Sequence, residues 1–259
     1  LIILVQLDGI LMSKTTRKNQ INLISTINRL TLPTQQLRQV LDTIESAFDE
    51  ATITVTDVTD DIVLKTLQQS HVNAVSVPKI GAANGRRLAV KEYLQASSLS
   101  VSALVLHIDF DKLAIMILKA PSELDHLLAE IQTADLSDYT CINRSAVNMT
   151  TYPSTWVDTE KCTNECAAAF FGLTVFTDFT SGAAIIRQQF LADIVRDSNA
   201  KMIDVEWPLI VTRKGGQIGS VETDGLPFTK LNREVTAKPL WQQYADRIRL
   251  VQEIIEPLH

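Results

Sequence analysis

Hydrophobic and polar positions switch between two periods along this chain. Residues 1–7 are a near-continuous apolar run stopped by Asp8-Gly9, the pattern of a strand buried on both faces. From Ile21, apolar residues at Leu23, Ile27 and Leu30 keep helical spacing. Pro33 interrupts, and Leu37, Val40, Leu41, Ile44 and Phe48 resume it at i, i+3, i+4, i+7 and i+11, so two amphipathic helices are expected. Ala51, Ile53 and Val55 then alternate with Thr52, Thr54 and Thr56, a β-branched strand of period two ending at Asp57. A helix over 62–69, a short strand over 74–77, a helix with Ala89, Tyr93 and Ala96 on one face, and an apolar strand over 101–108 follow. Strands alternating with helices predict an α/β fold, a mostly parallel central sheet flanked by helices, with ligands beyond the carboxyl ends of the strands. Asp8, Asp57 and Asp109 fall at such ends.

The second half is less regular. Leu124, Leu127, Leu128 and Ile131 mark a helix introduced by Pro121-Ser122, and residues 138–143 read as a strand. Cys162, Cys166 and Phe170 share a helix face and are expected to pack in the core. Phe179-Thr180-Ser181-Gly182 reads as a turn leading into a helix with Phe190, Leu191, Ile194 and Val195. A helix opening at Asp204, with Pro208 in its first turn, a strand over 218–222 and a long amphipathic tail helix from Trp241 complete the pattern.

Composition narrows the function. With 46% apolar positions in 259 residues the chain has ample material for a packed core, which excludes a disordered protein. A net charge of −6 without any run of like charges argues against nucleic acid as partner. No apolar stretch reaches the roughly 20 residues of a transmembrane span. Three cysteines, Cys141, Cys162 and Cys166, cannot form a closed disulfide framework and point to a cytoplasmic protein. The tail helix, with Trp241 and Tyr244, is expected to pack on its own domain; a homo-oligomer contact or a membrane-peripheral surface are the alternatives.

Two segments carry chemistry. Asp109-Phe110-Asp111 follows a buried strand, and carboxylates two apart on an extended segment project to one side, an arrangement suited to a magnesium or manganese ion completed by phosphate oxygens and water. Lys79-Ile80-Gly81-Ala82-Ala83-Asn84-Gly85-Arg86-Arg87 is a glycine-bearing loop opening a helix, where free backbone N–H groups and basic side chains suit a phosphate. His107 is expected to point into the core, and the late acids Asp204 and Glu206 are candidates for proton transfer or for capping a helix.

The order Thr56-Asp57-Val58-Thr59-Asp60, Gly81-Ala82-Ala83-Asn84-Gly85, Asp109-Phe110-Asp111, Thr180-Ser181-Gly182 and Asp204-Val205-Glu206-Trp207 resembles the GT-A fold glycosyltransferases of the family 2 group, and is also similar to mannosylglycerate synthase. The resemblance implies one GT-A-like domain over 1–259, with a nucleotide-binding half at 1–111, an acceptor half at 112–235 and a C-terminal helix at 236–259. It implies sugar transfer from a nucleotide-diphosphate donor to a small-molecule or lipid-linked acceptor. Asp8, Asp57, Lys79, Gly81, Asn84 and Arg86 would bind the donor, Asp109 and Asp111 the divalent cation, and Asp204, with Glu206 in reserve, would act as catalytic base. A catalytically degenerate nucleotide-binding scaffold is the alternative. A sugar-1-phosphate nucleotidyltransferase is disfavoured, because Asp8-Gly9-Ile10-Leu11-Met12 stands where a glycine-rich loop would follow the first strand.

Overall fold

The computed structural model describes residues 20–98, 103–229, 231 and 238–259. The run over 1–7 and Asp8 lie outside the described residues. The first half builds β1 (Ile21–Ile27), α1 (Thr34–Ala47), β2 (Ala51–Thr56), α2 (Asp61–Gln68), β3 (Asn73–Val77), α3 (Ala82–Ala96) and β4 (Leu104–Asp109). It continues through α4 (Phe110–Lys119), α5 (Pro121–Thr133), β5 (Tyr139–Arg144), α6 (Ala146–Met149) and α7 (Ser154–Phe171). Then come β6 (Ala183–Arg187), α8 (Leu191–Asp197), α9 (Glu206–Arg213), β7 (Ile218–Thr223) and α10 (Leu240–Ile255).

The strands form one sheet in the order β3-β2-β1-β4-β6-β5-β7. The strands β1 to β4 run parallel, β6 is antiparallel to both β4 and β5, and β7 is parallel to β5. Alternate residues of β4 feed two cores: Leu104, Leu106 and Ile108 face α1, α2, α4 and α5, while Val105 faces α3, α8 and α9. A sheet covered on both faces needs strands largely apolar, as β4 is from Leu104 to Leu106, with His107 and Asp109 entering only toward its carboxyl end.

Several elements depart from the pattern reading. Residues 21–27 form the strand β1, not a helix. Its Ile-rich, β-branched sequence suits the middle of a sheet, and its buried donors find partners: Asn22 Nδ2 donates to Tyr93 Oη at 2.6 Å and Ser25 Oγ to the Ile108 carbonyl at 2.6 Å, while Asn22 Oδ1 has no partner among the described residues. The helical spacing of Leu23 and Ile27 is thus coincidental. The 179–182 turn leads into the strand β6, not directly into a helix, and Arg187 ends that strand; the helix follows as α8. Cys162 and Cys166 are exposed rather than packed in the core, because α7 turns their face to solvent and buries Thr159, Thr163 and Ala167 instead.

The tail helix α10 packs along α7, with Ile254 as its buried anchor. Among the described residues no helix is long and apolar enough to cross a membrane.

Candidate active site

Because β1 to β4 are parallel, their carboxyl ends lie together, and a cleft of about 520 Å³ opens there. Its walls come from Thr26 to Thr31 after β1, Lys79 to Ala82 after β3, Gly85 and Arg86 on α3, and Asp109 to Asp111 at the junction of β4 and α4. The loop from Pro78 to Gly81 is shaped by Asp57, exposed just past β2, whose Oδ1 accepts from the Lys79 N–H at 3.0 Å. Gly81 has φ +92°, a left-handed conformation that favours glycine, and it ends the loop where α3 begins. The start of that helix, whose first N–H groups have no intrahelical partner, therefore forms part of the cleft wall together with Lys79 and Arg86.

Asp109 ends β4 and Phe110 already begins α4, so Asp109-Phe110-Asp111 is a strand-to-helix corner rather than the extended segment expected. Phe110 is fully buried and pins the corner to the core. Both carboxylate oxygens of Asp109 accept from Arg86, Oδ1 from Nε at 2.9 Å and Oδ2 from Nη2 at 2.8 Å, and Lys112 Nζ stands 3.6 Å from Oδ2. Burial alone would raise the Asp109 carboxyl pKa, but these two cations hold it well below the usual carboxylate range. The Asp109 N–H donates to the Gly182 carbonyl at 3.2 Å, and Lys112 Nζ donates to the Ser181 carbonyl. Gly182 has φ +69°, a conformation that favours glycine, and a Cβ there would lie 2.8 Å from Asp109 Oδ2 and press on Lys112 Nζ, so any side chain at this turn would displace both. Neighbouring His107 is buried against Trp207, with ring centroids 4.9 Å apart; burial and the Arg86 charge lower its pKa to about 3, so it stays neutral.

The two late acids separate. Asp204 lies on the turn before α9, near enough for Arg86, Asp109 and Lys112 to act on its charge, and its Oδ2 is buried without a hydrogen-bond partner among the described residues. Burial raises its pKa above the ordinary value, opposed by Arg86 and Lys112. Glu206, the first residue of α9, is instead saturated: it accepts from the Asn199 N–H at 2.5 Å, the Ala200 N–H at 2.6 Å, Ser198 Oγ, and Arg87 Nη2 at 2.8 Å. Arg87 is accordingly directed away from the cleft lining, and Asn84 follows it, donating to the Ile80 carbonyl at 3.2 Å and accepting from Arg87 Nη1 at 2.8 Å. Glu206 borders a separate cavity with Asn199, Ala200, Lys201 and Arg213.

The Glu206 network makes a pH prediction. Burial alone would raise its pKa, but its hydrogen bonds with Ser198, Ala200, Arg87 and Asn199 lower it below the ordinary 4.5, so its contribution is present above pH 4.5 and is lost as pH falls through the depressed value. Glu206→Gln is expected to lower the melting temperature at pH 7 and to flatten the acid side of the stability profile. An unchanged profile between pH 5 and 3 would remove Glu206 from this role.

The helical spacing of Leu23, Ile27 and Leu30 conceals the β1 end of the cleft. There the Arg29 N–H donates to Thr59 Oγ1 at 3.1 Å, Thr56 Oγ1 donates to Asn28 Oδ1 at 3.1 Å, and Arg29 has φ +56°. The β-branched density of residues 21–27 was the signal for it. Lys112 was missed for a different reason: only the helical start of α4 turns it toward Asp109.

No protein-family model matches the chain, and no curated protein matches it by sequence. Solved structures do match it in shape. Glucosyl-3-phosphoglycerate synthase of Mycobacterium tuberculosis superposes with a TM-score of 0.56 at 15% identity, covering 95% of this chain and 82% of that one. The same protein in complex with Mn2+, UDP-glucose and phosphoglyceric acid gives a TM-score of 0.58 at 16% identity, covering 95% of this chain and 81% of that one. The chain has the GT-A fold. In this GT-A sheet the antiparallel β6 carries the Thr180-Ser181-Gly182 turn back against Asp109, which the first four parallel strands could not do by themselves.

Proposed function

We propose that the protein is a metal-dependent glycosyltransferase that moves a sugar from a nucleotide-diphosphate donor to an acceptor hydroxyl. The observation that carries this reading is the position of Asp109. It stands at the carboxyl end of a central strand, in a cleft shared with the start of α3, with the unpartnered carboxylate oxygen of Asp204 in the same cluster of charges. The structural neighbours crystallised with Mn2+, UDP-glucose and phosphoglyceric acid support the donor class.

The nucleoside would lie over the ends of β1 and β2, and the diphosphate against the N–H groups of α3 with Lys79 and Arg86. Asp109 and Asp111 present hard oxygen donors suited to magnesium or manganese, and the orphan Asp204 oxygen adds a third acid to the neighbourhood. Among the described residues no group of three acids, histidines or cysteines forms a ready-made cage, so phosphate oxygens would complete the shell. Such a cation supplies neutralisation of the charge that grows on the leaving diphosphate. Asp204 would take the proton of the acceptor hydroxyl, while Lys112, braced on the Ser181 carbonyl, would hold the Thr180 to Gly182 turn on the acceptor side.

The scaffold reading has one observation in its favour, the complete engagement of Asp109 by Arg86. Calorimetry separates the two. UDP or GDP is expected to bind more tightly with Mn2+ than with chelator, and Asp109→Ala is expected to abolish that difference. Equal affinity with and without chelator for every nucleoside diphosphate would leave the scaffold reading standing.

A further inference from the structure

We infer that Arg86 is an exchangeable counter-ion: it occupies the Asp109 carboxylate while the cleft is empty of donor, and it yields that carboxylate to the divalent cation when a diphosphate takes the guanidinium instead. This rests on the transferase reading and adds an order to it, since the cation then binds well only together with the diphosphate.

The geometry separates a fixed partner from a movable one. Asp109 itself is held by its N–H to the Gly182 carbonyl, and Lys112 has a second tie, to the Ser181 carbonyl. Arg86 touches Asp109 only through its guanidinium, at the end of a long side chain rooted in the second turn of α3. The start of that same helix is part of the cleft wall, and Gly81, Ala82, Gly85 and Arg86 all line it. A diphosphate at the helix start therefore arrives next to Arg86. A guanidinium makes the same bidentate fork with a phosphate as with a carboxylate, so the exchange replaces one charge-assisted pair by another.

The charges show why the exchange has to occur. In this state the Asp109 carboxylate is flanked by two cations, Arg86 at 2.8 Å and Lys112 at 3.6 Å from Oδ2. A divalent ion approaching it meets two positive charges and finds both oxygens occupied, which disfavours binding by Coulomb repulsion in a site that is largely shielded from water. Removal of the guanidinium leaves Asp109 with the acids Asp111 and Asp204 nearby and, among the described residues in contact with it, Lys112 as the remaining cation.

The test is a titration of Mn2+ alone into the full chain without nucleotide, read by the electron paramagnetic resonance of free Mn2+. The variants are Arg86→Gln, Arg86→Lys and the double variant Arg86→Gln with Asp109→Asn, each checked for folding by circular dichroism. Wild type is expected to bind Mn2+ weakly, Arg86→Gln about tenfold or more tightly, and the double variant to lose that gain. Arg86→Lys, which keeps the charge but not the two-pronged contact, is expected to fall between, and it carries the test if Arg86→Gln does not fold. Mn2+ affinity equal in wild type and the folded Arg86 variants overturns the counter-ion role. If UDP or GDP still binds more tightly with Mn2+ in that case, the transferase reading survives and only the exchange falls. If no nucleoside diphosphate shows Mn2+ dependence in wild type, that reading fails, and the exchange fails with it.

Discussion

Replacing Asp204 by Asn is expected to cut turnover by a factor of about 100 or more while leaving donor affinity near wild type. The substitution keeps the shape of the side chain and removes only its charge and its ability to take a proton. Two observations single out Asp204. Its Oδ2 is buried without a hydrogen-bond partner among the described residues, and the charges of Arg86, Asp109 and Lys112 reach it, so it belongs to the cluster at the end of β4. Glu206 fails on the same criteria, because two backbone N–H groups, Ser198 and Arg87 already occupy its oxygens. A factor of 100 corresponds to about 2.7 kcal/mol of transition-state stabilisation, within the range of a well-placed general base. Burial raises the Asp204 carboxyl pKa, so the acid limb of the turnover profile is expected at higher pH than an ordinary carboxylate would place it, and to vanish in Asp204→Asn. Steady-state rates of Asp204→Asn across pH 4 to 8 decide this. Near-normal turnover would assign the reaction to a retaining course without an enzymic base.

Arg144→Met is expected to destabilise the fold by about 3 to 5 kcal/mol, the usual result of removing one partner from a buried ion pair. Arg144 is 1% exposed at the end of β5, where its Nε donates to Asp178 Oδ2 at 2.7 Å and its Nη2 to Glu160 Oε2 at 2.7 Å. Arg247 of α10 completes the set at 2.6 Å from Glu160 Oε1, so two arginines balance two carboxylates below the surface. The aromatic rings of Tyr152 and Trp156 close it off, lying under the Arg144 and Arg247 guanidinium groups at 4.6 Å and 4.5 Å. Without Arg144, Asp178 stays buried with no cation beside it. For a chain of this size the loss corresponds to a fall of roughly 6 to 10 °C in melting temperature. The same carboxylate receives Thr180 Oγ1 at 3.0 Å and the Thr180 N–H at 3.2 Å, and so positions the turn that brings Gly182 to Asp109. Arg144→Met is therefore expected to weaken catalysis as well as stability. A melting temperature within about 2 °C of wild type would show that the pair is not sealed from water.

Much of the architecture was legible from local pattern. The helices α1 and α5, the strands β2, β3, β5 and β7 and the tail helix follow from residue periodicity, because each buries one face or a short continuous run and the spacing records it. The strand β1 is only partly legible: its β-branched density points to a strand, but polar residues interrupt the apolar run. The donors of its buried residues Asn22 and Ser25 bond to Tyr93 and to the carbonyl of Ile108, 71 and 83 residues away, and such partners leave no trace in the local pattern. For the same reason β6 was read as the start of a helix: its place between β4 and β5 is set by strands distant in sequence.

The residue types of the candidate site have partial local signatures: Asp57, Asp109 and Asp111 follow buried strands and Lys79, Gly81 and Arg86 sit in a glycine-bearing loop that opens a helix, whereas Asp204 is singled out as a base only by the resemblance. Their pairing was decided only by the tertiary structure. Arg86 and Arg87 are adjacent in the chain, yet the helical turn of about 100° per residue sends one to Asp109 and the other to Glu206. That divergence, together with the backbone N–H groups of Asn199 and Ala200 that converge on Glu206, leaves one late acid bound into the fold and the other with a free buried oxygen. Local sequence sets which groups are present and which element carries them; which charges meet depends on the packing of α3 against the segment before α9, a contact between residues more than a hundred positions apart.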